Sequence, residues 1–517
     1  MPVIRLIESL FVTGAVALGH TRGICLFVLI AALGWALPDR ATAQTFTIIY
    51  SFNGYDGSDP QGGLIVSGNT LYGTTLQGGV GGGISDGGVV FALGTDGTGF
   101  TNLHIFPGLF SAPPSDGFLP LGGVILLGDT VYGTTGDGGS FGGGTVFSVN
   151  TDGSGSSILY SFVWSFALPQ NPPQTNASGA FPDCGLVLSG KTLYGTAEAG
   201  GVLGYGTVFA INTNGQGFTN LHNFSKGTDG ARPSTGLVLS GEVLYGTTEG
   251  SVSDLGIVGP SGNGTVFRMK TDGSVFTVLH AFTAMGTKSS GISTNSDGAE
   301  PESELVLSDN TLYGTAAIGG TFGNGTVFAL NTNGLGFTNL HNFTGTSDGA
   351  YPSGFLVLRG DTLYGTTQYG GISSNGTVFA VNTDGTGFTN IYSFTAPTGP
   401  STSSFPTNSD GANPAGGLTL SGNFLYGTAG SGGTLGHGTV FSISLPVLRP
   451  PLTITPLGQN VVLSWPTTAT GFTLHATTNF GTSSIWATNF PTPVVANGVN
   501  TVTNPISGTQ QFFRLSQ

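Results

Sequence analysis

The chain has 517 residues, of which only 7% are charged, with 91 glycines and a hydrophobic fraction of 38%. Glycines in register with apolar strands exclude a disordered low-complexity chain. Twelve Lys+Arg against 26 Asp+Glu give a net charge of −14, so nucleic acid and anionic membrane surfaces would meet repulsion and are excluded as partners.

Residues 1–43 read as an export signal. Arg5 and Arg22 precede an apolar run from Ile24 to Leu37, and Ala41-Thr42-Ala43 supplies a small-residue cleavage site. About fourteen apolar residues are too few for a spanning helix, which needs roughly twenty. The mature chain then begins at Gln44, and a secreted or cell-surface location without a transmembrane segment is expected. Cys25 leaves with the signal and Cys184 stays alone, which rules out an intramolecular disulfide and a cysteine-based metal site.

From Gln44 to Leu445 one pattern recurs. Tyr-Gly-Thr begins at Tyr72, Tyr132, Tyr194, Tyr245, Tyr313, Tyr364 and Tyr426, and each glycine-rich stretch after it ends on Phe91, Phe147, Phe209, Phe267, Phe328, Phe379 or Phe441. Seven of each means seven units. Within a unit, Gly236 to Leu239 turns into Val243-Leu244-Tyr245, and Thr265-Val266-Phe267 passes through Asp272-Gly273 into the run Phe276 to Phe282. The Asp-Gly or Asn-Gly turn recurs at Asp96, Asp152, Asn214, Asp272, Asn333 and Asp384, where a tight turn needs positive φ. Four short antiparallel strands per unit predict an all-β, seven-bladed β-propeller. The seventh unit leaves at Pro446 without a fourth strand, whereas Phe46 to Phe52 is an unpartnered copy of one. The N-terminal strand is therefore expected to close the last blade and remove an exposed edge.

The consensus Leu-Tyr-Gly-Thr, Gly-Thr-Val-Phe, Asn-Thr-Asp-Gly and Gly-Leu-Val-Leu-Ser-Gly resembles the bacterial GloVer tandem repeat over Phe46 to Leu445. The resemblance implies an exported propeller-like protein, often with a separate anchoring or accessory C-terminus, and brings no activity with it. Residues 446–451 read as a Pro-rich linker. Residues 452–517, with Val461 to Trp465 and a terminal Phe512 to Leu515, read as a small immunoglobulin or fibronectin III-like β-sandwich.

The tight turns join strands one to two and three to four, while the insertions Val163 to Pro182, Glu249 to Asn263, Thr283 to Pro301 and Thr395 to Pro414 fall in the other connections. Those connections share one face, which is expected to carry any function. Asp56, Asp116, Asp229, Asp297, Asp348 and Asp410 each precede Gly-x-x-Pro, with Ser178 in the remaining unit. They read as turn caps, or else as carboxylate ligands for Ca²⁺. Glu198 and Glu249 follow Tyr-Gly-Thr-x in adjacent units and, with Asp137, are the candidate acids if the chain cleaves glycans. His104, His222, His280 and His341 share a fourth-strand slot with Tyr50, Tyr160 and Tyr392, so the slot accepts an amphipathic ring. Ser140 between glycines matches a nucleophile elbow only on paper, because no helix follows. The units otherwise read as equivalent, with few singular polar residues. The expectation is a monomeric, cofactor-free, non-catalytic binding or display scaffold for a glycan or protein. The alternative is an extracellular carbohydrate-active hydrolase or lyase using the loop carboxylates.

Overall fold

The computed structural model describes residues 44–446 and 452–516, apart from 80, 82–85, 109–115, 165–174, 251–262, 288–290, 399–404, 459, 468–471, 478–486, 489, 497 and 506–511. The export signal, the linker beyond Pro446 and the middles of the four insertions thus lie outside the described residues. Gln44–Leu445 forms one compact unit, and the described residues from Pro446 onward belong to a second.

In the first unit the same chemistry builds one antiparallel sheet seven times. Sheet 4 runs Val238–Ser240, Val243–Thr248, Thr265–Lys270 and Thr277–Ala281, each strand paired with the next. The others span Ile65 to Ile105, Ile125 to Val163, Val187 to Asn223, Val306 to Asn342 and Val357 to Ser393. Sheet 7 combines Thr419–Ser421, Phe424–Ala429 and Thr439–Ser444 with the N-terminal strand Phe46–Ser51, which lies antiparallel to Thr439–Ser444. At the hairpin between strands three and four, Asp272 Oδ1 accepts the backbone N–H of Ser274 at 2.8 Å, the side-chain mimic of a turn bond.

The glycine of Tyr-Gly-Thr has a packing duty. Gly246 stands opposite Phe267 in the ladder, and a Cβ there would meet the Phe267 ring at 2.7 Å. Gly246→Ala is therefore expected to destabilise the unit by about 1–3 kcal/mol through overpacking, read as a lowered urea midpoint.

Each third–fourth strand pair also carries a β-bulge that the pattern of apolar residues does not announce. In sheet 4 the register skips from Val266↔His280 to Phe267↔Val278, and the same shift recurs in all seven sheets. The bulged residue offers its backbone to the following sheet: Gly97, at φ 83°, would bring a Cβ within 2.5 Å of Ile49 O. Only glycine permits both that φ and that approach.

Seven hydrophobic clusters fill the seams between successive sheets. Tyr194, Val208 and Phe224 of sheet 3 meet Leu237, Leu244 and Phe267 of sheet 4. Phe52, Tyr426 and Val440 of sheet 7 meet Leu64, Leu71 and Phe91 of sheet 1. The seams therefore run round without an end, and the fold is all-β and propeller-like. Stacked rings reinforce six of them, with centroids 3.6 to 4.2 Å apart: Tyr50 on Phe100, Tyr160 on Phe218, His222 on Phe276, His280 on Phe337, His341 on Phe388, and Tyr392 on Phe46.

The second unit has a four-stranded sheet in the order Thr453–Leu457, Asn460–Pro466, Val499–Pro505, Val494–Ala496, and a pair formed by Thr473–Thr477 and Phe512–Ser516. Val461, Leu463 and Trp465 pack with Leu474, Val502 and Leu515 in its core. Among the described residues no helix is long and apolar enough to cross a membrane.

Candidate functional site

The six repeated aspartates sit where strand four leads into the next unit, and all six bind the ring on that strand. His222 Nε2 pairs with Asp229 at 3.2 Å, His280 with Asp297 at 3.0 Å, His341 with Asp348 at 3.2 Å and His104 with Asp116 at 3.1 Å. Tyr50 and Tyr392 donate their hydroxyls to Asp56 and Asp410 at 2.6 and 2.8 Å. In the same motif the backbone N–H groups of Asn53, Ser225, Thr283, Thr344 and Thr395 reach the carboxylate. Burial works against ionisation, yet hydrogen bonds from the histidine and hydroxyl hold Asp229, Asp297 and Asp348 below the ordinary carboxylate range. Burial draws His104 and His341 down, against the opposing pull of their aspartates. The histidine slot and the aspartate motif, read separately from the sequence, are thus two halves of one clamp. Among the described residues no group of three or more His, Cys, Asp or Glu is placed to hold a metal ion. Asp297→Ala is expected to cost about 1–3 kcal/mol by orphaning His280 and the Thr283 N–H, with Ca²⁺ or a chelator leaving the wild-type Tm unchanged.

A different position faces the end of the ring where strand four meets strand one. Each unit has a proline there, preceded by Asp59, Leu119, Phe181, Arg232, Glu300, Tyr351 or Asn413, and all seven adopt φ between 54° and 59°. That conformation is rare outside glycine and marks strain retained by its surroundings. Two backbone bonds retain it: Arg232 N–H donates to Tyr205 O of the preceding unit, and Arg232 O accepts from Glu249 N–H of its own. The equivalent pairs recur, from Asp59 with His437 and Leu76 through Asn413 with Asn375 and Gly430. An invariant backbone thus presents seven different side chains.

Charge concentrates on units 3 to 5. The Arg232 guanidinium bridges Glu198 and Glu249, donating to Glu198 Oε1 through Nε at 2.6 Å and reaching Glu249 Oε2 at 3.3 Å. The two sequence-predicted acids are indeed brought together, but around a cation. Asp183, just past its proline, lies against Glu198; burial first, then Glu198, push its carboxyl far above the ordinary range, with Asp137 and Glu249 adding to the field. Burial alone raises Asp137. Burial, then Glu249, lift Glu302 to about 7, while Tyr351 donates its hydroxyl to it at 2.8 Å. Glu249 and Glu300 are also raised by burial, with Arg232 opposing.

At the ring's centre, three residues past each proline, five units carry glycine and two do not. Phe355 of unit 6 lies so close to Gly63 of unit 1 that a Cβ there would meet its ring at 2.5 Å, although unit 7 stands between them in the ring. Glu304 of unit 5 lies against Gly236 and reaches toward Gly185 of unit 3. The axis is therefore narrow, with Phe355 on one side and Glu304 on the other. Enclosure alone raises Glu304 to about 7. Cys184 is buried beside it and its thiol is pushed up to about 11 by burial, which leaves it a poor nucleophile.

Asp183, Arg232, Glu300, Glu302, Glu304, Tyr351 and Phe355 escape a reading that treats the units as equivalent. Aligning the residues on either side of the seven prolines exposes them.

Among solved structures, an oligogalacturonate lyase in complex with manganese is 10% identical, with 75% of this chain and 89% of that one covered at a TM-score of 0.40. TolB from Acinetobacter baumannii is 12% identical, with 74% and 78% covered at 0.33. A puromycin-hydrolyzing peptidase from Mycobacterium tuberculosis is 12% identical, with 80% and 58% covered at 0.42. No curated protein matches the chain. The model of the Gloeobacter/Verrucomicrobia repeat matches three times, over residues 39–172, 171–294 and 291–449, and the chain belongs to that family.

Proposed function

We propose that the chain is an exported seven-bladed β-propeller with a small immunoglobulin or fibronectin III-like sandwich, acting as a monomeric, non-catalytic binding or display scaffold. Its ligand, a glycan or a protein, docks on the face where the residues before the seven prolines project. One observation carries this reading: seven superposable, strained backbone positions hold seven different side chains. A fixed frame with a variable side chain is how recognition surfaces are built on rigid scaffolds. The frame was retained at the expense of strain in every unit, while the side chain was free to differ.

A second reading, a carbohydrate-active enzyme, draws on one pair. Asp183 is biased toward its protonated form beside Glu198, and two carboxyl groups with different proton affinities are what acid–base glycoside chemistry uses. Against it, Glu198 and Glu249 are both engaged by Arg232, which holds them away from the roles of proton donor and nucleophile. The test is a polysaccharide pull-down and glycan array with residues 44–517, followed by product analysis. Retention without cleavage is expected. Released oligosaccharide that disappears with Glu198→Gln or Asp183→Asn would replace the scaffold by the enzyme.

A further inference from the structure

We infer that the ring has a built-in point of opening: the outer rim of the seam between sheet 1 (Ile65 to Ile105) and sheet 2 (Ile125 to Val163) parts before any other seam, including the two that flank the N-terminal strand. In the other six seams the fourth strand of the later sheet is led by a phenylalanine, at Phe46, Phe100, Phe218, Phe276, Phe337 or Phe388. That ring packs, part-buried, on the hydrophobic cluster of its seam and lies flat on the histidine or tyrosine of the earlier sheet. Sheet 2 has Ser156 at that position. Ser156 is exposed, and His104, which would receive the ring, has an edge contact with neighbouring Phe106 at 4.6 Å as its one ring contact among the described residues. The backbone is not the cause. Gly155, just before Ser156, has φ 65°, and its counterparts Gly99, Gly217, Gly336 and Gly387 have φ between 66° and 70°. The chain turns into the strand in the same way, and only the side chain differs.

A second fastener is missing from the same place. Asn220, Asn339 and Asn390, on the fourth strands of sheets 3, 5 and 6, donate through Nδ2 to the carbonyls of Ala177, Ser296 and Ser347 at 2.9, 3.0 and 2.5 Å, in the connection that arrives from the preceding sheet. The equivalent residue of sheet 2 is Ile158, whose side chain has no donor. Val278 of sheet 4 and Ile48 of sheet 7 lack the amide too, but their seams keep the stacked ring. Among the described residues the seam between sheets 1 and 2 alone has neither. The clamp beside it is correspondingly looser: the Asp116 side chain is 32% exposed, against 17%, 7% and 14% for Asp229, Asp297 and Asp348. The inner strands stay tied, with Thr74 Oγ1 donating to Gly122 O at 3.2 Å. The seam that joins sheet 7 to sheet 1 is by contrast sealed by Tyr50 on Phe100 at 4.2 Å and by Gly97 pressed against Ile49 O. Opening between sheets 1 and 2 is thus hinged on the inner strands, uncovers His104 and Asp116, and leaves the closure of the ring intact.

Hydrogen exchange of residues 44–517, followed by mass spectrometry, reads this opening, because an outermost strand loses protection when its leading residue is not anchored. Ser157–Val163 is expected to be protected about three- to tenfold less than Thr219–Asn223, Thr277–Ala281, Thr338–Asn342 and Thr389–Ser393, the factor that one aromatic pair represents. Ser156→Phe is expected to erase the difference, and Phe218→Ser to transfer it to Thr219–Asn223. If Phe218→Ser does not fold, the wild-type comparison and Ser156→Phe decide alone. Equal protection of all the fourth strands, weaker protection of Phe46–Ser51 than of Ser157–Val163, or no gain of protection in Ser156→Phe overturns the inference.

Discussion

A chain that begins at Asn53 is expected to aggregate, or to unfold at a small fraction of the wild-type urea midpoint. Removing residues 44–52 leaves the Thr439–Ser444 strand of sheet 7 with an open edge, a template for pairing with other chains. It also empties the seam between the last and first sheets, where Phe52 is fully buried against Phe91, and removes Phe46 from between Tyr392 and Phe441. A single buried phenylalanine cut to alanine costs about 3–5 kcal/mol. Losing two together with a strand's worth of ladder bonds approaches the whole stability of a typical domain, about 5–15 kcal/mol. Size-exclusion chromatography and urea unfolding read the effect. A permuted chain in which residues 44–52 follow Leu445 separates closure from mere sequence loss, because it supplies the same strand to the same edge. Restored cooperativity there is the expected outcome; a truncated chain as stable as the full one would show that the strand closes nothing.

That closure is legible in the sequence. Phe46 to Phe52 repeats the pattern of Phe276 to Phe282, and a missing fourth strand after Phe441 leaves a gap of the same length. Repetition reports which segments are equivalent, and equivalence is enough to infer pairing. The bulge in each fourth strand was not legible, because Leu221 or Leu279 is as apolar as a residue in regular register and the extra residue shows only in the ladder. The clamp was half legible: the ring slot and the aspartate motif each stood out, but their contact joins residues 6 to 18 positions apart, across loops of varying length. The central site was the least legible. Glu198, Glu249 and Asp137 were found as singular acids, whereas Arg232, which sits between the first two, looked like an ordinary loop residue. Repeat logic directs attention to what is constant, and the mouth is assembled from what is not. Glu304 and Phe355 occupy a position that is glycine elsewhere, and only the closed ring makes that position its axis.

The axis also governs how stability depends on pH. Glu304 and Glu302 have carboxyl groups raised from an ordinary 4.5 to about 7, the first by burial and the second by burial and then Glu249. The folded chain therefore holds these protons more tightly than the unfolded chain. The stabilisation is fully present below about 4.5 and is lost as pH rises through about 7. At 1.36 kcal/mol per pH unit, each group contributes at most about 3 kcal/mol, and solvent in the mouth lowers this toward about 1 kcal/mol for Glu302. His104 and His341, lowered by burial, act in the opposite sense: their contribution is present above about 6.5 and is lost as pH falls below it. The low-lying Asp229, Asp297 and Asp348 add a further loss only when the pH drops below the ordinary carboxylate range. Stability is accordingly expected to rise as pH is lowered from 8 through about 7, with the two histidines opposing the gain below about 6.5. Glu304→Gln removes the buried charge without changing the side chain's size, so it is expected to raise stability at pH 8 by about 1–3 kcal/mol and to leave it nearly unchanged at pH 5. Urea midpoints of wild type and variant at both values decide the matter. Parallel profiles would mean that Glu304 is solvated in the folded chain, and the axis would then be open to water rather than closed by Phe355.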